Sequence, residues 1–192
     1  MTADVVPRWE WRTFGDVTPR FAVRAPDGTE ESDEVYLLAP GVDENVKIRG
    51  GLMDVKALQQ VSPAGLEQWK PVMKAAFPLA AADVRKIFEA LQVAAPPLTR
   101  AQYTLEQLLG ELVGPSGRAR GVNVHKTRTH YKTGGCLAEV AEVLVGERKT
   151  RTVAIEAEDP AQVIAAVRGE GFDPSRNVNY PRGLRRLIGM EG

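Results

Sequence analysis

A chain of 192 residues with 25 Lys and Arg against 25 Asp and Glu carries no net charge, so no global attraction draws it to nucleic acid or an anionic membrane. Its 43% hydrophobic content is ordinary for a globular protein, and its length suits one domain spanning 1–192 with a sizeable core. A single cysteine, Cys136, excludes an intramolecular disulfide and any zinc site built from several cysteines.

The first residues, Met1 to Pro7, lack the basic region and apolar run of a secretory signal. No window approaches the roughly 18 apolar residues of a membrane span, so a cytoplasmic protein without a membrane partner is expected. Strands are expected at about 6–14, 34–39, 45–50, 53–60, 121–132, 136–146 and 151–158, joined mostly by short turns such as Gly50-Gly51 and Gly134-Gly135. Antiparallel pairing follows from those short connections. Residues 18–25 suit either a short strand or one helical turn before the turn signal Pro26-Asp27-Gly28.

Between the two strand-rich halves, about 62–113 reads as a helical insert. Val84, Ile87, Phe88 and Leu91 recur at helical spacing within 80–93, and Leu105, Leu108, Leu109 and Leu112 do so within 104–113. A third helix starts at Asp159-Pro160, a capping aspartate followed by a first-turn proline, and a last one covers about 181–189.

Four strand segments alternate charge with apolar or β-branched residues. Arg8, Glu10 and Arg12 alternate with Trp9 and Trp11; Lys47, Arg49, Asp54 and Lys56 with Val46, Ile48 and Val55; Lys126, Arg128 and His130 with Thr127, Thr129 and Tyr131. Glu156 and Glu158 alternate with Val153, Ile155 and Ala157. Successive strand side chains point to opposite faces, so each segment has one charged face. Such faces are either solvated or turned inward by a closed sheet whose apolar side lies under helices. The second arrangement makes a cavity of cations and carboxylates, suited to a polyanion held with a divalent metal.

In order and spacing, these segments resemble the CYTH domain of the triphosphate tunnel metalloenzyme superfamily. The resemblance rests on Arg8-Trp9-Glu10-Trp11-Arg12, the hairpin Val46-Lys47-Ile48-Arg49 to Asp54-Val55-Lys56, Lys126-Thr127-Arg128, the acidic run Val153 to Asp159, and the tail Asn177-Val178-Asn179-Tyr180-Pro181. It implies an α+β fold, an antiparallel tunnel of about eight strands with helices packed outside. It also implies a triphosphate-containing small molecule or polyphosphate as partner, Mg²⁺ or Mn²⁺ as cofactor, and hydrolysis of the triphosphate. By that resemblance Arg12, Lys47, Arg49, Lys56, Lys126 and Arg128 contact phosphate, and Glu10, Glu156 and Glu158 hold the metal. Glu139 and Lys56 are the candidates for catalysis, and Arg182 for closing one tunnel end. The alternatives are a non-catalytic polyphosphate- or nucleotide-binding module, cyclisation of ATP, and a structural β-domain with a solvated charged face. One position departs from the family, whose first strand reads Glu-x-Glu-x-Lys: here Arg8 stands in the place of the first glutamate.

Overall fold

The computed structural model describes residues 6–190. Among them run strands β1 Arg8–Phe14, β2 Gly28–Leu38, β3 Asn45–Arg49, β4 Leu52–Val61, β5 Glu67–Ala76, β6 Leu79–Ala80, β7 Gln102–Tyr103, β8 Arg120–Thr133, β9 Cys136–Val145 and β10 Arg148–Ala157. Eight of them close into one antiparallel barrel, ordered β1-β10-β9-β8-β2-β3-β4-β5, with β5 returning to pair with β1. β6 and β7 make a separate two-stranded sheet next to the helix Ala81–Ala90. This is the expected antiparallel tunnel of about eight strands.

Two glycine pairs set its hairpins. Gly50 and Gly51, at φ +56° and +74°, join β3 to β4, and Gly134 and Gly135, at +55° and +78°, join β8 to β9. Two successive left-handed residues make the turn whose twist matches that of the flanking strands.

The apolar strand faces point outward under helices. Val46, Ile48, Met53 and Val55 pack beneath Ala81–Ala90 and the helical run 105–116, whose middle, Leu108–Val113, is a π-helical turn. Trp9, Trp11, Val153 and Ile155 pack beneath Pro160–Gly169. That helix is capped as its sequence predicts, with the Asp159 side chain accepting from the Ala161 backbone N–H at 2.8 Å.

Inside, the barrel has two unlike halves. Tyr36, Leu38, Val122, Val124, Ala141 and Val143 share their faces with the inward charges, yet pack into an apolar cluster with Tyr180 and Leu184. These last two belong to the C-terminal helix Tyr180–Ile188, which closes this end.

Several elements depart from the sequence expectation. β2 begins at Gly28 rather than near 34, because β8 supplies paired backbone for the polar stretch 28–33. Residues 18–25 contain a short 3₁₀ helix, Arg20–Val23, that buries Phe21. The segment expected as a helical insert over 62–113 opens instead with β5, a barrel strand carrying a proline in its middle. Pro71 lies where the β4 register slips between Val55 and Lys56, an irregularity that tolerates a missing N–H donor. β10 ends at Ala157, so Glu158 is not on the strand face of Glu156.

The C-terminal helix approaches β1 at Gly183, where an added Cβ would sit 2.3 to 2.6 Å from ring carbons of Phe14. Gly183→Ala therefore overpacks the closed end. It is expected to lower unfolding free energy by about 1–3 kcal/mol in a denaturant titration. An unchanged midpoint would mean that Phe14 swings clear and that this contact does not fix the helix.

Candidate functional site

Closing the barrel brings the charged faces of β1, β3, β4, β8, β9 and β10 around one cavity of about 500 Å³. Among the described residues that line it, seven are Lys or Arg and five are Asp or Glu, so cations prevail locally in a chain that is neutral as a whole. Lys47 and Arg49 come from β3, Lys56 from β4, Lys126 and Arg128 from β8, and Arg12 from β1. Glu10, Glu139 and Glu156 line the same space. Two predicted residues stand apart. Glu158 is exposed beyond β10. Arg182 pairs with Asp43 and lies 3.6 Å from Glu67, which ties the C-terminal helix to the barrel rather than lining the cavity.

The cations are held in place by Glu34, which sequence reasoning passed over. Its fully buried carboxylate lies 2.9 Å from Lys126 Nζ, 3.3 Å from Lys47 Nζ, 3.4 Å from Arg128 Nη1 and 3.9 Å from Arg49 Nη1. Burial pushes this carboxyl up, but Lys126, Lys47 and Arg128 outweigh it and hold Glu34 at about 2. The strain falls on the lysines. Burial, reinforced by Lys47, pushes Lys126 well below the ordinary ammonium range, and burial lowers Lys47 as well.

Two tyrosines form the floor: Tyr36, which the sequence does not single out, and Tyr180, which it marks only as part of the tail motif. Their rings stack with centroids 5.6 Å apart, and Lys126 Nζ lies 3.7 Å from the centroid of Tyr180 while donating to the Tyr36 hydroxyl at 2.6 Å. Arg12 lies 4.3 Å above Tyr180. Cation–π attraction thus fixes two of the innermost cations where water cannot. The only signal for Tyr36 was its parity with Glu34 in a short expected strand. Of the two histidines, His130 lines the cavity and His125 faces Asp33 outside.

Several polar atoms remain unmatched. Arg128 donates through Nη2 to Ser32 Oγ at 2.9 Å, yet its Nε is buried with no acceptor among the described residues. Asn45 Oδ1, also on the cavity wall, is likewise buried and unpaired. Buried donors without acceptors are unfavourable unless a ligand completes them.

The carboxylates are tested against the Mg²⁺ or Mn²⁺ that the resemblance implies. Glu10 and Glu156 are cross-strand partners, a placement that could share an ion. Each is already engaged by a guanidinium: Arg12 Nε reaches Glu10 at 2.9 Å, Arg12 Nη1 reaches Glu139 at 3.3 Å, and Arg8 Nη1 reaches Glu156 at 3.1 Å. Burial raises the Glu10 carboxyl, but Arg12, with Lys56 and Lys47, outweighs it and keeps Glu10 below the ordinary value. Burial and the neighbouring Glu10 leave Glu156 above it. Among the described residues no group of three or more His, Cys, Asp or Glu is placed to hold a cation. The donor set does not fit a hard divalent ion that requires several free oxygens.

No protein-family model matches the chain, and no curated protein does. Solved structures do resemble it. A conserved hypothetical protein from Pyrococcus furiosus is 16% identical and superimposes with a TM-score of 0.51, covering 93% of this chain and 99% of its own. A candidate adenylyl cyclase from Hippeastrum, described as having a dominant triphosphatase activity, is 11% identical at a TM-score of 0.44, over 84% of this chain and 85% of its own. A candidate adenylate cyclase from Bacillus halodurans is 10% identical at 0.47, over 96% and 100%. The Pyrococcus furiosus likeness covers most of this chain, and it is a likeness of fold. The closed eight-stranded tunnel, its inward basic strands and its outer helices are the architecture that the sequence resemblance implies.

Proposed function

We propose that the cavity binds the triphosphate group of a small molecule, or a short inorganic polyphosphate. Lys47, Arg49, Lys56, Lys126 and Arg128 face the phosphates, and Arg12 stands at the inner end. The observation that carries this reading is the convergence of those six side chains on one cavity that also holds the unpaired Nε of Arg128. A guanidinium can grip phosphate oxygens through two N–H groups, while lysines act as point charges along the chain.

Binding is favoured over hydrolysis by the placement of Arg8 and Arg12 on the carboxylates that a metal would need. No catalytic step is therefore assigned to Glu139 or Lys56. Titrating tripolyphosphate into the protein by calorimetry, with phosphate release followed in the same samples in Mg²⁺, Mn²⁺ and chelator, separates the readings. Tight binding without release is expected. Metal-dependent release that disappears in Glu156→Gln would establish a hydrolase instead. Arg128→Ala is expected to weaken tripolyphosphate binding by about 1.5–3 kcal/mol, the range for a hydrogen bond to a charged group. Unchanged affinity would return β8 to a purely structural role.

A bound polyanion would compete with Glu34 for the same cations. Without ligand, Glu34→Gln leaves buried cations uncompensated and is expected to destabilise the fold by about 3–5 kcal/mol, and tripolyphosphate should restore part of that loss. The pH dependence has a definite sign. A carboxyl held at about 2 against an ordinary 4.5 contributes stability that is fully present above the ordinary value and lost as pH falls toward 2. Denaturant unfolding at a series of pH values should show that decline in the parent protein and a flatter profile in Glu34→Gln. Parallel profiles would mean that Glu34 is not the counter-ion of the cluster.

A further inference from the structure

On the cavity wall, Glu10 and Glu156 oppose each other across β1 and β10, and two carboxylates so placed require positive charge between them. That charge is present in the chain. Arg8, Glu10 and Arg12 occupy alternate positions of β1, so one strand face reads cation, carboxylate, cation. The inner guanidinium, Arg12, is buried and spans Glu10 and Glu139, with Thr152 Oγ1 as a further acceptor at 3.1 Å. The outer one, Arg8, takes Glu156, a residue of the cavity wall, at 3.1 Å, and its side chain is 43% exposed.

We propose that Arg8 is a resident cation that replaces a divalent metal in this tunnel, so that triphosphate binding does not depend on divalent ions. The proposal rests on the triphosphate-binding reading above. A guanidinium remains charged at every physiological pH, and it can donate to a carboxylate and to a phosphate at once through its planar fork. Tethered to β1, it needs no ion from solution. A divalent cation placed against Glu156 would meet that fixed positive charge and would find one of its oxygens already taken. A phosphate that lies against Glu156 is gripped by Arg8, which already holds that carboxylate.

The test uses the full chain and compares tripolyphosphate titrations in chelator and in Mn²⁺, alongside titration of Mn²⁺ alone. The parent protein is expected to bind tripolyphosphate in chelator, to lose no affinity there relative to Mn²⁺, and to take up no Mn²⁺ by itself. Arg8→Gln, with folding checked by circular dichroism, is expected to weaken binding in chelator by on the order of tenfold. Arg8→Glu, which supplies a third carboxylate beside Glu10 and Glu156, is expected to take up Mn²⁺. Parent binding that appears only with Mn²⁺, or unchanged affinity of Arg8→Gln in chelator, would overturn the proposal while leaving the triphosphate reading in place. Absence of tripolyphosphate binding in both conditions would remove that reading and the proposal together.

Discussion

A single buried carboxylate lets this barrel close around its own positive charge. Lys47, Lys126 and Arg128 are each almost wholly buried, and three cations in a low-dielectric interior are tolerable only beside an opposing charge. Glu34 supplies it from β2, within 3.4 Å of all three. Its position follows from strand geometry. β2 lies between β3 and β8 in the sheet, so an inward residue on β2 is next to inward cations on both neighbours. One glutamate on that middle strand serves what would otherwise require a counter-ion on each side.

The same logic divides the interior. Where β2 changes from Glu34 to Tyr36 and Leu38, the inward residues of β8 change from Lys126 to Val124 and Val122, and those of β9 from Glu139 to Ala141 and Val143. Polar side chains therefore give way to apolar ones along each of these three strands, and the two tyrosines belong to the apolar cluster while touching the cations. Tyr36 and Tyr180 present ring faces upward to Lys126 and Arg12 and ring bodies downward to Leu184 and Val143. The C-terminal helix thus closes the apolar end and also supplies, through Tyr180, part of the floor that positions the cations.

Much of this was legible because it is local. The hairpin around Gly50-Gly51, the outward tryptophans of β1, the capped helix at Asp159-Pro160 and the inward faces of β3, β4 and β8 all follow from periodicity and turn chemistry. What was hidden depends on partners distant in the chain. Pro71 argues against a strand until the slipped register of β4 provides a place for it. Glu34 is one carboxylate in a short strand, and nothing nearby in the chain reports that Lys47 and Lys126 will surround it. Glu158 matched the alternation of β10, but the strand gives way to the Asp159 cap one residue too early. The apolar half of the tunnel was not anticipated, because alternation alone assigns an inward face without saying what fills it.

The balance of charge on β1 connects these features to function. Inward carboxylates around a polyanion site work against the ligand unless something neutralises them, and there are two physical ways to do it. A bound ion brings a concentrated charge, but it must be recruited from solution and shed part of its water, and its oxygen ligands must be free. A tethered guanidinium brings a single delocalised charge at fixed geometry, with no recruitment and with N–H groups left for the ligand. Here Arg12 pairs with Glu10 and Glu139, and Arg8 pairs with Glu156. The inward carboxylates are therefore each met by a cation of the same chain, Glu34 by Lys47, Lys126 and Arg128, and Glu156 by Arg8. Under the proposed reading, such a cavity holds a phosphate chain with charge that remains when the solution contains no metal.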